Sequence, residues 1–428
     1  MKRIRDLIAG DTTAGNMLKL GGGTALGQLF SVLVLPIISR QYDPIQRGYF
    51  GIFSAFVATA TVVVGLRFEM AVPSANSDKE ADQLLTLSLV TGVAISLLSG
   101  LVFYLLHILK IGGYGDLAGS CGWLLVLTLI LTGAFSSLRF WFVRRGDFGG
   151  ISKAMIQQGF VRAMVPVLFG LLKFDWVGLA IGEVFGRVSG VFSLSKHALS
   201  GVKEALGDRA GLLSTAKKYR SMPLQMMPSS LIDSLAFSIS IPLFFSYYGG
   251  VNAGLYSVAM MVIAIPSGLI AASVGDVFHQ HLAELLRDDP SKINDYLVES
   301  GRKMLKIAIA IYVPVAILGY LMAGPILGAK WAPLSWMLVG LTPMVIMASL
   351  CGPLSRTLVV VNRVDWKLYV DVLTLLLAVV PIVGCASLNI SFEVCFGIFC
   401  VAKFLSRLIY AWVIWLSSFH HHHRIIRE

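Results

Sequence analysis

The sequence predicts an all-α integral membrane protein with about twelve transmembrane helices in two six-helix bundles, related by a pseudo-two-fold axis along the membrane normal. Three observations predict it. First, 56% of the 428 residues are hydrophobic and only 14% are charged, whereas a soluble chain carries about 25% charge. Second, the apolar runs are about 20 residues long, the length a helix needs to cross hydrocarbon. Third, Lys and Arg concentrate on alternate connections, as the positive-inside bias requires.

Runs bounded by charge, Gly and Pro place the spans at 17–38, 49–66, 84–109, 121–143, 151–172, 176–198, 224–247, 254–278, 304–323, 333–355, 366–386 and 395–418. The first reads as a retained span, because polarity persists to Asn16 and no small-residue cleavage site follows. With the N-terminus inside, the inner segments hold 24 of the 35 basic residues, and the outer loops hold five: Arg40, Arg47, Lys110, Lys173 and Lys330. That asymmetry puts both termini in the cytoplasm.

A long inner connection at the middle of the chain separates an N-terminal bundle, 1–198, from a C-terminal bundle, 224–428, with 199–223 as a cytoplasmic loop. Residues 39–53 align without gaps on 245–259, matching Tyr42 with Tyr248, Gly48 with Gly254 and Phe50 with Tyr256. Six spans per half make the repeats parallel. Two bundles rocking about a central site, hence alternating access, is the motion this topology suggests.

Six basic residues lie within spans: Lys19, Arg139, Arg162, Arg187, Lys403 and Arg407. A charge at bilayer depth costs about 2.5 to 3.5 kcal/mol, so each must face protein or water. Arg162 and Arg187 sit near mid-span, Lys403 and Arg407 lie one turn apart on the twelfth span, and Lys19 and Arg139 are close enough to the inner face to snorkel. The deep acids are Glu183 and Asp233. Glu183 precedes Arg187 by four residues, the favourable order for a helical ion pair. Asp233 has no local partner and reads either as a protonatable coupling group or as a counter-ion.

Gly178, Gly182, Gly186 and Gly190 leave one face of the sixth span bare, for close packing or as a smooth wall. Prolines 228, 242, 266, 314, 343 and 381 should kink or loosen their helices. The five cysteines have no metal or disulfide spacing. The +11 formal charge orients the chain and attracts anionic headgroups, without need of nucleic acid. Neither a nucleophile elbow nor a phosphate-binding loop is present, so the sequence points to no enzyme, catalytic residue, metal or cofactor. GGGTALG lies inside the first span and reads as packing, and His420 to His423 read as a solvated tail.

GGGTALGQLFSVLVLPIISRQYDPIQRGYFGIFSAF, LRFEMAVPSANSDKEADQL and the run from Tyr219 to Leu285 resemble the bacterial polysaccharide biosynthesis flippases of the O-antigen and exopolysaccharide type. These belong to the multidrug, oligosaccharidyl-lipid and polysaccharide exporter superfamily. The stretch Leu66-Arg67-Phe68-Glu69 carries part of the likeness, as does the entry to the second bundle at Tyr219-Arg220. The resemblance implies a flippase of the bacterial inner membrane that moves undecaprenyl-diphosphate-linked oligosaccharide to the outer leaflet. On that reading, Arg162, Arg187 and Arg407, with Lys403, Lys19 and Arg139, meet the anionic substrate, while Asp233 or Glu183 couples H+ or Na+. The prenyl tail stays in lipid through a gap between bundles. Membrane lipid and other glycan-assembly proteins are the further partners. A multidrug and toxin extruder of the same superfamily is the alternative; a membrane polymerase or ligase is a more distant one.

Overall fold

The structure, a computed structural model, describes residues 13–288, 293–355, 357–358 and 364–427, without side-chain detail for 13–20, most of 265–288 and 418–427. It is a chain of helices, and no strand occurs among the described residues. Two compact units divide it, Met1–Ser238 and Ile239–Glu428. The first holds α1 (Thr13–Gln41), α2 (Pro44–Val64), α3 (Asp78–Ile108), α4 (Cys121–Arg144), α5 (Phe148–Leu171), α6 (Val177–Gly207), α7 (Arg209–Lys218) and α8 (Met227–Ser238). The second holds α9 (Ser240–Asp288), α10 (Ile293–Met322), α11 (Leu334–Leu354), α12 (Val364–Ser387) and α13 (Phe392–Arg427).

Eleven stretches among the described residues are long and apolar enough to cross a membrane. The expected seventh and eighth spans fall together in one of them, Met227–Ala264, which is why the number is eleven and not about twelve. That stretch is not one straight helix. α8 ends at Ser238, four residues before Pro242; a proline cannot donate to the carbonyl four residues back, and its ring crowds that carbonyl. A second break comes at Gly249, with φ 85° and ψ 164°. In the repeat alignment Gly249 matches Asp43, the extended N-cap of α2. The two halves therefore interrupt their helices at the same aligned position.

In the first unit α1 packs on α5, α5 on α6, and α6 on α4 and α3. Glycine permits these close approaches. A Cβ on Gly186 would lie 2.9 Å from Arg162 Cβ, and one on Gly190 2.8 Å from a ring carbon of Phe135, so the bare face of the sixth span is a packing face. α8 belongs with this unit because it docks on α2, where Thr59 and Ser238 hydroxyls meet at 2.7 Å and Ser234 Oγ donates to Ala58 O at 3.2 Å. Large apolar side chains such as Leu97, Trp123 and Leu171 remain exposed, as suits helices bathed in lipid. The second unit centres on aromatic rings: Phe244 packs on Tyr256 at 5.0 Å and on Phe399 at 5.3 Å, and Trp336 on Phe396 at 5.0 Å. All five cysteines are buried and free.

The stretch 199–223, expected as a loop, is largely helical. α6 runs on to Gly207 and α7 follows at once. Asp208 starts α7 by accepting from Gly211 N at 2.9 Å, an N-cap that restarts the helix after its break. α3, 31 residues long, spans about 46 Å at 1.5 Å per residue, so its first turns stand clear of a hydrocarbon layer of about 30 Å. α7 is tied there: Lys79 pairs with Asp208 at 2.9 Å, Lys218 with Glu80, and Thr215 Oγ1 donates to Gln83 Oε1 at 2.7 Å. Arg144 closes the same end on Asp78 at 3.0 Å.

The Lys79 ammonium and the Gly211 amide hold the Asp208 carboxyl below its usual range. A depressed carboxylate stabilises the fold at pH values above its unfolded pKa, about 3.9, and that contribution is lost as pH falls through the lower folded value. Asp208→Asn is therefore expected to lower the thermal midpoint at neutral pH, with the gap to wild type closing below about pH 4. A gap of constant size from pH 3 to 8 would show that the carboxylate charge plays no part.

Candidate functional site

Within the first unit, α1, α2, α4, α5 and α6 line an open cavity of about 360 Å³. Arg139 enters it from α4, Arg162 from α5 and Arg187 from α6. Thr24, Gln28, Thr61, Thr132, Ser136 and Gln158 supply hydroxyls and amides, and Gly27, Phe135, Met155 and Gly159 complete the lining. The local helix geometry explains the assembly. Gly186 lets α6 approach the Arg162 turn of α5, which sets Arg162 beside the acid one turn away from Arg187.

That acid is Glu183. Its Oε1 accepts from Arg187 Nη2 at 3.0 Å and Nε at 3.3 Å, and its Oε2 lies 3.5 Å from Arg162 Nε. One carboxylate thus serves two guanidiniums. Arg139 lies with its guanidinium 5.5 Å from the Phe140 ring centroid, and no ion pair of Arg139 occurs among the described residues. Among the described residues, three guanidiniums against one carboxylate leave the cavity an excess of two positive charges. Gln28 Oε1, in a residue of the same lining, is buried without a hydrogen-bond partner.

Three of the six intramembrane cations expected at a site, Arg139, Arg162 and Arg187, are therefore brought together. Lys403 and Arg407 are on α13, in the second unit. Lys403 is buried there, and Arg407 has a buried Nε without a hydrogen-bond partner. Lys19 is on α1 and His420 to His423 are in the last turns of α13, but the side chains of all five lie outside the description. Asp233, on α8, is exposed.

Several residues escaped the sequence reading. The uncharged polar lining carries no signal, because Thr, Ser and Gln recur throughout apolar helices. Arg47, expected in an outer loop, is buried at 4% exposure near the start of α2. Glu69, part of the family-like Leu66-Arg67-Phe68-Glu69 stretch, is buried at 6% exposure beneath a turn in which Leu66 and Arg67 both take positive φ. Burial pushes its carboxyl above the usual carboxylate range.

Against known proteins, the family model described as polysaccharide biosynthesis protein matches residues 37–336. The chain belongs to that family. No curated protein matches it by sequence. Its fold resembles an inward-facing multidrug resistance transporter of the MATE family, within the MOP superfamily, with a TM-score of 0.68 at 13% identity over 94% of this chain and 96% of that one. It also resembles the lipid II flippase MurJ in an inward closed conformation, with a TM-score of 0.66 at 12% identity over 92% and 86% of the two chains. A MOP superfamily transporter from Pyrococcus furiosus, described as having a binding pocket of reversed polarity, matches with a TM-score of 0.60 at 15% identity over 99% and 98%. This polysaccharide biosynthesis family member is a multi-pass membrane protein with a MOP-type transporter fold.

Proposed function

We propose that this family member flips an undecaprenyl-diphosphate-linked oligosaccharide from the inner to the outer leaflet of the bacterial cytoplasmic membrane by alternating access, both termini being cytoplasmic. The observation that carries this reading is the three-arginine cavity at bilayer depth. Guanidinium groups bind phosphate oxygens in bidentate fashion and keep their charge in a dry site, so they can replace the water around a diphosphate. Beside them, the Thr and Ser hydroxyls of the lining can donate to or accept from sugar hydroxyls. The polysaccharide family and the likeness to a lipid-linked substrate flippase support the same assignment.

Lys403 and Arg407, on α13, are assigned on the same reading as further cations for the anionic substrate. Glu183 is already matched by two guanidiniums and acts as their counter-ion, which leaves Asp233 as the acid for coupling to H+ or Na+. The MATE-like fold also raises drug extrusion as a second reading. A cavity with excess positive charge repels the organic cations such extruders carry, so the glycan reading is preferred.

Arg162→Ala and Arg187→Ala are each expected to cut surface glycan by about tenfold or more, the loss of one charge-assisted bidentate contact. Lipid-linked repeat units should accumulate on the inner leaflet. Normal surface glycan in both variants would overturn the anion site, and drug sensitivity without accumulated intermediate would favour extrusion.

A further inference from the structure

The short turn Phe68–Ser74 joins α2 to α3 outside the apolar spans and packs on α3, on α4 and on the turn Met222–Met226. Its acid, Glu69, is buried beneath two successive non-glycine residues, Leu66 and Arg67, at φ 49° and 63°. Left-handed backbone is unfavourable for such residues, so the surrounding packing must hold it. The turn it makes carries a carboxyl into the interior of the unit.

Two observations bear on the state of that carboxyl. Glu69 Oε2 is buried without a hydrogen-bond partner, which the carbonyl oxygen of a neutral acid tolerates far better than a carboxylate oxygen does. The second is the direction of the hydrogen bonds beside it. Ser88 Oγ lies next to the carboxyl, close enough that a Cβ on Gly65 would touch both. Ser88 Oγ also bonds to Ser137 Oγ, and Ser137 Oγ donates to Gly133 O at 2.8 Å. A hydroxyl has one proton to give. Ser137 places its own on the carbonyl, so Ser88 gives its proton to Ser137 and has only a lone pair to offer Glu69. A carboxyl beside such an acceptor must supply the proton itself.

The charges on the neighbouring elements are directed elsewhere. Arg67 turns Nη1 to Met70 Sδ at 3.7 Å, and no ion pair of Glu69 occurs among the described residues. On α3, Asp78 pairs with Arg144 of α4, Lys79 with Asp208 and Glu80 with Lys218, and Asp82 accepts from Trp141 Nε1 at 2.7 Å. On α4, Arg139 lines the cavity and Arg145 lies over the Trp141 ring at 4.0 Å. Met222–Met226 carries no charge. Burial pushes the Glu69 carboxyl up and outweighs both its own amide and the Arg67 charge.

We propose that Glu69 is a proton-binding site of the first unit, protonated in this conformation as donor to Ser88, and that it exchanges this proton with the inner side of the membrane during transport. Solvent is one residue away, at the exposed Met70. Loss of the proton would set a carboxylate against the Ser88 lone pair, so release requires the turn to move, which ties the proton to a change of shape. The exchange rests on the flippase reading above; the bound proton does not. Glu69 acts beside Asp233 and does not replace it.

The test uses purified full-length protein in nanodiscs and Glu69→Gln, whose amide N–H can donate to Ser88 as the acid does. Infrared spectra at neutral pH should show a carboxylic-acid carbonyl band in wild type that is absent from Glu69→Gln. Thermal unfolding reads the same proton through linkage. A carboxyl raised in the folded state stabilises fully below its unfolded pKa, about 4.3, and that contribution is lost as pH rises through the folded value. Measured against Glu69→Gln, wild type should therefore lose midpoint above about pH 4.3 and then level off. Ser137→Ala removes the hydroxyl one link further on and frees the Ser88 proton for the carboxylate. It should bring the levelling-off to lower pH by about one unit or more, the worth of one hydrogen bond to a charged oxygen. No infrared difference, or a gap to Glu69→Gln that does not vary with pH, would overturn the site. The exchange has its own readout: Glu69→Gln should lower surface glycan at unchanged abundance in the membrane. Normal glycan there beside the expected loss in Arg162→Ala would overturn the exchange alone. Normal glycan in both would sink the flippase reading and the exchange with it, with the infrared and pH results still deciding the proton site.

Discussion

Replacing Glu183 with alanine is expected to cost more stability than removing either arginine it serves, by about 3 kcal/mol, the lower end for stripping one partner from a buried ion pair. The reason lies in the count of charges. Arg187→Ala leaves Glu183 with Arg162, at 3.5 Å, and Arg162→Ala leaves it with Arg187, at 3.0 Å. Glu183→Ala leaves two guanidiniums facing each other in a cavity that already holds Arg139. Glu183→Gln keeps the shape and one acceptor, and should fall between alanine and wild type. Thermal unfolding in one detergent ranks the four variants against wild type. The deficit should also respond to ligand, because an anion that binds only the folded state stabilises it, and most where unmatched positive charge is greatest. Added prenyl diphosphate should therefore raise the midpoint of Glu183→Ala more than that of wild type. If Glu183→Ala unfolds at the wild-type midpoint, the carboxylate is not what makes two half-buried guanidiniums tolerable.

This constellation was only half legible in the sequence. The i, i+4 spacing of Glu183 and Arg187 announces their pair, since helical geometry alone puts the two side chains together. Arg162 joins them because α5 and α6 meet at Gly186, and four regularly spaced glycines do not say which helix they will meet. Charges at depth stand out because their cost forces a reason for them, which is how Arg139, Arg162 and Arg187 were found. Gln28 and Gln158 cost less in an apolar helix and left no such mark. The helix break at Gly249 was likewise anticipated only as a loop between spans, although its match to Asp43 was already present in the repeat. The helical part of 199–223, to Gly207 and then Arg209–Lys218, does not show in the sequence because its polar composition reads as a connection. What holds it is the Asp208 cap and the contacts with the start of α3, neither of which shows in hydropathy.

The second large effect concerns the glycine seam between α1 and α5, where Gly159→Ala is expected to destabilise the protein by about 1 to 3 kcal/mol, as overpacking does. In an unobstructed helix the same change would stabilise by up to about 1 kcal/mol, because alanine is the better helix former. The sign is reversed here because the added methyl meets the Gly27 main chain, which cannot rotate away as a side chain could. Gly22→Ala provides the contrast, since a Cβ there has nothing within 4 Å, and it should be neutral or mildly stabilising. Gly23, in the same GGGTALG run, should behave like Gly159, because its Cβ would fall 2.7 Å from Ser152 Cα. A run that reads as three equivalent glycines thus divides into two that are free and one that is locked. Relief of the clash requires α1 to move off α5, which would disturb the cavity that both helices line. Gly159→Ala should therefore also lower surface glycan, and by more than its effect on protein abundance in the membrane accounts for. Glycan that falls only in proportion to abundance would make the seam a matter of packing alone.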